Sequence, residues 1–479
     1  MFLLIFFRGV HKKDQKMIND TKLDSSFRDP SGYLYLKDGL IHRQVNKIYK
    51  NHYDHLINSG LYKTLVDTNL LIPHEEISIN SGELNNAYKI LKPEQISFIS
   101  YPYEWCFSQL KSAALTTLEI QKKALDFGMS LKDCSTYNIQ FRKGKPILID
   151  TLSFEKYKEG KPWVAYRQFC QHFLAPLALM SYRDIRLNQL LRIYIDGIPL
   201  DLTSSLLPFS TRFRFSLLSH IHLHANGQKH FANKTVNTSK YKFSRFSFLS
   251  LINSLESAVR KLRWDANDTE WSDYYNDTNY SSDAFQQKKQ IVFDFLNNSN
   301  PKNVWDIGAN DGTFSRIASN KGLQTFSFDI DPAAVEKNYL DCTKRGETNI
   351  LPMLMDITNP SPNIGWSNTE RMSILERGPA HTVLALALIH HLAISNNLPL
   401  EKIASFFNKI CIGLLIIEFI PKSDSQVQRL LSTREDIFPN YTQKLFENEL
   451  EIYFKIQKTV KVNNSDRILY LMKSRNTNL

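Results

Sequence analysis

A chain of 479 residues with 42% apolar residues is too long for one ordinary core and apolar enough to fold, so two or three domains are expected. Lys and Arg exceed Asp and Glu by 59 − 48 = 11; from Ser281 onward the count is 22 basic to 21 acidic, so the excess lies before that residue, partly within 228–263. Such a patch suits nucleic acid, anionic lipid or a phosphorylated partner, or is a solvated face.

The five cysteines, Cys106, Cys134, Cys170, Cys342 and Cys411, form no Cys-x-x-Cys pair, so neither a disulfide framework nor a zinc knuckle is expected and the reduced cytoplasm is the expected compartment. The apolar opening Met1–Phe7 is far shorter than the ~20 residues that span a bilayer, so no membrane span is expected.

Residues 1–26 read as a poorly ordered terminus, and 27–224 as an α+β domain that opens on the turn Phe27-Arg-Asp-Pro-Ser-Gly32. Alternation around Lys37-Asp-Gly39 predicts a hairpin over 32–43. Helical spacing follows near 46–70 and 107–128, with a strand-like run Ile96–Ser100 between them. Ile139–Phe141 and Pro146–Asp150 read as strands joined at Lys143-Gly-Lys145, and helical patterns fill Trp163 to His224. Trp105 and Trp163 are expected in the core. His220, His222 and His224 alternate; on a strand they would share one face able to bind metal, although a chance cluster is the simpler reading and no metal is expected.

Residues 225–270 form a basic linker and helix: Ala225–Lys242 is rich in Asn, Ser, Thr and Lys, and Phe246–Arg263 is amphipathic. From 271 to 479 the texture becomes α/β. Apolar runs at 303–307, 324–329, 350–355, 381–388 and 411–419 alternate with helical segments, as in a parallel sheet covered on both faces, and 453–462 with 467–472 close it as an antiparallel hairpin.

The chemistry-bearing residues of this part fall at strand ends. Asp306 ends the first strand, and Gly308 and Gly312 leave the following loop open to close approach by a ligand. The spacing Asp-x-Gly-x-x-x-Gly is neither a dinucleotide fingerprint nor a phosphate loop, so a nucleotide-like ligand without phosphates fits better than NAD or ATP. Asp329 ends the second strand where it can take both hydroxyls of a ribose. Asp331, before Pro332, reads as a helix cap. After the third strand, Asp356 and the Ile357 amide suit the edge of an adenine.

These segments resemble motifs I, II and III of class I S-adenosylmethionine (SAM) dependent methyltransferases over roughly residues 271–475, with Asn310 where the family has its usual third glycine. The resemblance implies a doubly wound Rossmann-like sheet, SAM as cofactor, and Asp306 toward the amino group of its methionine moiety. It also implies that His390 and His391, after the fourth strand, face the transferred methyl group. Either could be a general base, with His390 slightly favoured, or could pack against the adenine. Glu418 is a further polar candidate, and Trp271, Tyr274, Tyr275 and Tyr280 could form a lid or simply pack on the surface. The loop lacks Asn-Pro-Pro-Tyr, which counts against methylation of nucleobase amino groups; with the basic residues dispersed and no recognised RNA-binding motif, a small molecule, glycan or other metabolite is the favoured acceptor over RNA. Oligomeric state is not legible.

Asp133, Asn138 and Asp150 resemble, in type and spacing, the catalytic loop and metal-binding strand of protein kinases and aminoglycoside phosphotransferases. The resemblance covers about 45 residues and lacks a glycine-rich loop, with Thr151-Leu152 where Phe-Gly would follow. It implies a degenerate kinase-like domain used for binding; a tight loop shaped by Asp133 and Asn138 is the competing reading, and a nucleotide-binding pseudokinase with a regulatory SAM domain is the alternative for the whole chain.

Overall fold

A computed structural model describes residues 21–78, 86–224, 243–265, 282–297, 301–432 and 435–475. The chain divides into two compact units at Trp264, and residues 363–371 belong with the first. The domain boundary expected after residue 270 falls outside the described residues.

The first unit opens on a five-stranded antiparallel sheet, β1 (Thr21–Lys22), β2 (Gly32–Lys37), β3 (Leu40–Asn46), β4 (His74–Ile77) and β5 (Ala87–Pro93), in the order β1-β2-β3-β5-β4. The pairing of Lys22 with Tyr35 puts ordered structure where composition suggests a slack terminus up to Ser26, because the β2 edge supplies the missing ladder partners. Asp38 and Gly39 both take positive φ (51° and 74°), the paired left-handed residues whose twist suits a two-residue hairpin. Helices α1 (Lys50–Asn58) and α2 (Leu61–Asp67) lie between β3 and β4 in the chain, and α3 (Phe107–Asp126) buries Leu110, Ala113, Ala114, Thr117 and Leu118 at the predicted spacing. Ile96–Ser100 is not a strand: the Ser100 amide donates to the Gln140 side chain at 2.9 Å, which replaces a ladder.

β6 (Met129–Leu131) pairs with β9 (Phe154–Lys156), while β7 (Ile139–Arg142) and β8 (Lys145–Leu148) make the expected hairpin. Trp105 and Trp163 are buried. The histidines near 222 do not lie on a strand. The segment Leu218–Leu223 is helical, and His220 and His222 hydrogen-bond to Tyr166, Ser254, Ser204 and Thr211. Helix α4 (Arg245–Lys261) buries Phe248, Ile252 and Leu255.

The second unit is built on a seven-stranded sheet. Its strands are β10 (Asn303–Ile307), β11 (Gln324–Asp329), β12 (Ile350–Leu354), β13 (Ala380–Ala385), β14 (Cys411–Phe419), β15 (Phe454–Lys461) and β16 (Ile468–Ser474), in the order β12-β11-β10-β13-β14-β16-β15. β10 to β14 pair in parallel, and β16 joins them antiparallel with β15 as its hairpin partner. Helix α5 (Ser282–Asn297) precedes β10, and α6 (Thr313–Ser319), α7 (Pro332–Arg345) and α8 (Leu400–Ile410) run between the strands. Ile291, Val292, Phe295 and Leu296 of α5 pack with Phe314, Leu384, Ile416 and Leu469 in one core cluster.

β13 is shorter than the apolar run 381–388 suggests and ends at Ala385. Ala387 turns to φ 50°, and its amide donates to the Glu418 carboxylate at 2.7 Å instead of to a neighbouring strand. His390 and His391 therefore sit on a helical turn rather than on the strand tip.

Candidate functional site

Successive strands run outward in one direction from β10 through β11 to β12 and in the other from β13, so the order reverses between β10 and β13. A doubly wound sheet opens a ligand crevice beyond the strand ends at that reversal. Hydrogen bonds tie the loop after β10 to the end of β11. The Gly308 and Ala309 amides donate to the Phe328 carbonyl at 2.9 and 3.0 Å. The Asn310 and Asp331 amides donate to the two oxygens of Asp329 at 2.7 and 2.9 Å. A carboxylate has about four acceptor sites, so these amide donors leave Asp329 capacity to offer a ligand. Burial raises its pKa to about 6, the amide donors opposing that rise.

Asp306 is buried, and the Ser315 hydroxyl donates to it at 2.6 Å. Burial pushes its pKa up to about 7, and the neighbouring Asp329 adds to the rise. Asp356 accepts the Thr358 amide (2.8 Å) and hydroxyl (2.6 Å) on one oxygen and stays half-exposed beside Ile357. Asp331 caps α7 through the Ala333 amide at 2.8 Å.

The glycines divide in role. A Cβ on Gly308 (φ 76°) would meet Leu388 at 3.4 Å and nothing nearer, so this position leaves room. A Cβ on Gly312 (φ 78°) would stand 2.4 Å from the Asn338 side chain. Gly312 thus serves the packing of α6 on α7, not ligand approach. Asn310 takes φ 48°, a left-handed conformation that Asn tolerates better than most side chains.

His390 is 1% exposed, and its Nδ1 has no hydrogen-bond partner among the described residues. His391 is half-exposed, with its ring 4.1 Å from that of His390. Burial drives both pKa values down, that of His391 to about 4, so both rings are neutral at physiological pH. Glu418, the further polar candidate, is fully buried, pairs with Lys288 of α5 at 2.7 Å and holds the Ala387 amide. The sequence reading does not single out Lys288, although it falls on the apolar stripe Ala284, Ile291, Val292 and Phe295, which was the available signal. Trp271, Tyr274, Tyr275 and Tyr280 lie outside the described residues.

In the first unit, Asp133 accepts the Ser135 amide at 3.0 Å and the Gln168 amide group at 2.7 Å. Asp150 pairs with Arg43 at 2.8 Å and accepts the Leu152 amide and Ser153 hydroxyl, while Asn138 donates to that same hydroxyl. A carboxylate already matched by a guanidinium has little left to attract a cation. Among the described residues no group of three or more His, Cys, Asp or Glu could hold a metal, and no helix is long and apolar enough to cross a membrane.

None of the known protein-family models matches the chain. Among curated proteins it is 32% identical over 457 residues to nodulation protein NoeA of Rhizobium meliloti (strain 1021), spanning 94% of this chain and 95% of that protein. The chain belongs to the NoeA family. Solved structures with a similar fold include magnesium protoporphyrin IX methyltransferase from Synechocystis PCC 6803 with bound SAH (18% identity, TM-score 0.31, 43% of this chain and 92% of that one). Another is the N-methyltransferase NodS from Bradyrhizobium japonicum WM9 (12% identity, TM-score 0.30, 40% and 98%). At such scores the strand order and the strand-end carboxylates carry the functional reading.

Proposed function

We propose that the second unit is a SAM-dependent methyltransferase acting on a small molecule, glycan or other metabolite. The observation that carries this is Asp306, a carboxyl buried at the sheet's reversal point whose pKa burial raises to about 7, although Lys288 opposes the rise, beside a loop that Gly308 keeps open; a ligand cation would favour its ionised form. The ammonium of a methionine moiety supplies that cation, Asp329 has acceptor capacity for a ribose, and Asp356 with the Ile357 amide suits an adenine edge. No phosphate is called for, because the strand ends present carboxylates.

SAM, when bound, supplies an electrophilic methyl group on a sulfonium. The chain's own contribution is to hold the acceptor in line and exclude water. His391 is the better candidate for removing an acceptor proton, being neutral and less buried than His390. This reverses the slight preference for His390 that sequence order alone suggests. The name of the Rhizobium relative states a process and no acceptor.

Calorimetry tests the assignment: the wild-type chain binds SAM, and Asp329→Ala loses that binding while the fold persists by circular dichroism. Equal affinity in the variant would refute the site. Incubation with methyl-labelled SAM and cell extract then reads the acceptor class from the fraction that takes up label, with label in RNA overturning the favoured class.

A further inference from the structure

Phe209, Phe213 and Phe215 are 71%, 80% and 80% exposed, alternating with the exposed Arg212 and Arg214. Single exposed apolar side chains are ordinary; three bulky rings within seven residues mark a surface that is covered in use. The turn that carries them is firmly built. It is the short 3-10 helix Phe209–Phe213, and Thr211 at its centre is fully buried. The Thr211 hydroxyl donates to the Pro208 carbonyl at 2.6 Å and lies 2.9 Å from Nε2 of His222, whose Nδ1 is 2.8 Å from the Ser204 hydroxyl. Anchored from beneath, the turn has no inward position to give the rings.

The cations are placed with them. Arg212 lies over the Phe209 ring at 5.7 Å and Arg214 over the Tyr182 ring at 5.3 Å, while Phe209 and Phe213 meet edge to face at 5.6 Å. From Leu202 through Leu255 the chain carries seven Lys and Arg and no Asp or Glu. Protruding aromatic tips flanked by guanidinium groups, in a stretch without a single acid, are complementary to an anionic bilayer: rings enter the boundary between headgroups and acyl chains, and the arginines meet lipid phosphates. A single-stranded nucleic acid would need open ring faces for stacking, and Arg212 already covers one face of Phe209.

We propose that Phe209–Phe215 is a membrane-surface anchor, seating the protein on anionic lipid without spanning the bilayer. The anchor is independent of the methyl-transfer reading and survives its failure. Sedimentation of the full chain with vesicles tests it. The expected result is binding to phosphatidylcholine vesicles that contain phosphatidylglycerol, little binding to phosphatidylcholine alone, and weakening by salt. F209S/F213S/F215S and R212E/R214E should each reduce binding by about tenfold or more, with melting temperature unchanged as the control for folding. Wild-type protein that stays in the supernatant with the anionic vesicles overturns the proposal. So do variants that bind as well as wild type, or variants that lose binding to a single-stranded RNA probe while still sedimenting with vesicles.

Discussion

Asp306 shows how one buried side chain can set a pH dependence. Its folded pKa of about 7 lies above the ordinary carboxyl value of 3.8, because burial penalises the charged form. The ligand-free protein is therefore favoured at low pH, where the group is protonated both folded and unfolded, and loses stability as pH rises from about 4 toward 7. A cationic ligand reverses the preference by pairing with the ionised form. SAM affinity should rise with pH up to about 7 and level off above it, with proton release on binding below that pH. Calorimetry in buffers of different ionisation enthalpy measures the release; its absence at pH 6 would remove Asp306 from the ligand's cationic end.

Gly308 and Gly312 give a paired test at the same scale. Gly312→Ala drives a Cβ against Asn338 and should lower stability by about 2 kcal/mol or more, read as a fall in melting temperature. Gly308→Ala meets only Leu388 and should cost about 1 kcal/mol of backbone strain while weakening SAM binding more than stability. The Asp-x-Gly-x-x-x-Gly pattern made both glycines visible in the sequence. Their different jobs were not, because Asn338 comes from another helix.

At the scale of elements, the Lys288 and Glu418 pair ties α5 to the end of β14 and, through the Ala387 amide, fixes the loop that carries His390 and His391. Removing one partner strands a buried charge. Lys288→Met should cost about 3–5 kcal/mol by thermal or denaturant unfolding, whereas K288M/E418L removes both charges and should recover most of that loss. If the loop position matters to the ligand, SAM affinity falls in the double variant although stability returns, since only there does Ala387 lose its acceptor. The strands at 303–307, 324–329 and 411–419 were readable to the residue from their apolar runs. β13 was not, because Leu386, Leu388 and Ile389 stay apolar after the ladder has ended, and the partner that ends it, Glu418, lies on another strand.

At the scale of the whole molecule, nine residues from between β12 and β13, Asn363–Arg371, belong with the first unit. Glu370 is buried there and held by Arg28 at 2.9 Å, and Arg371 lies over the Tyr137 ring at 4.3 Å. A Cβ on Gly365 (φ 88°) would sit 2.5 Å from the Glu370 carboxylate, so only glycine lets the segment fold back on itself. A fragment of residues 265–479 lacks the partners Arg28 and Tyr137, and trypsin should cut it after Arg371 faster than it cuts the full chain. Equal cleavage rates, followed by mass spectrometry, would mean that these partners do not protect the segment.

The sequence by itself determined the doubly wound sheet with its closing hairpin, the hairpins at Asp38-Gly39 and Lys143-Gly144, and the acidic strand ends, because periodicity, turn chemistry and short motifs act over a few residues. Tertiary structure alone decided the rest. It matched Asp150 with Arg43, buried Glu418 against Lys288, set the histidines near 222 on a helical segment, and drew Asn363–Arg371 into the first unit. The physical reason is common to all four: the energy of a buried charge or polar group depends on the partner that long-range packing brings to it, and that partner can lie a hundred residues away.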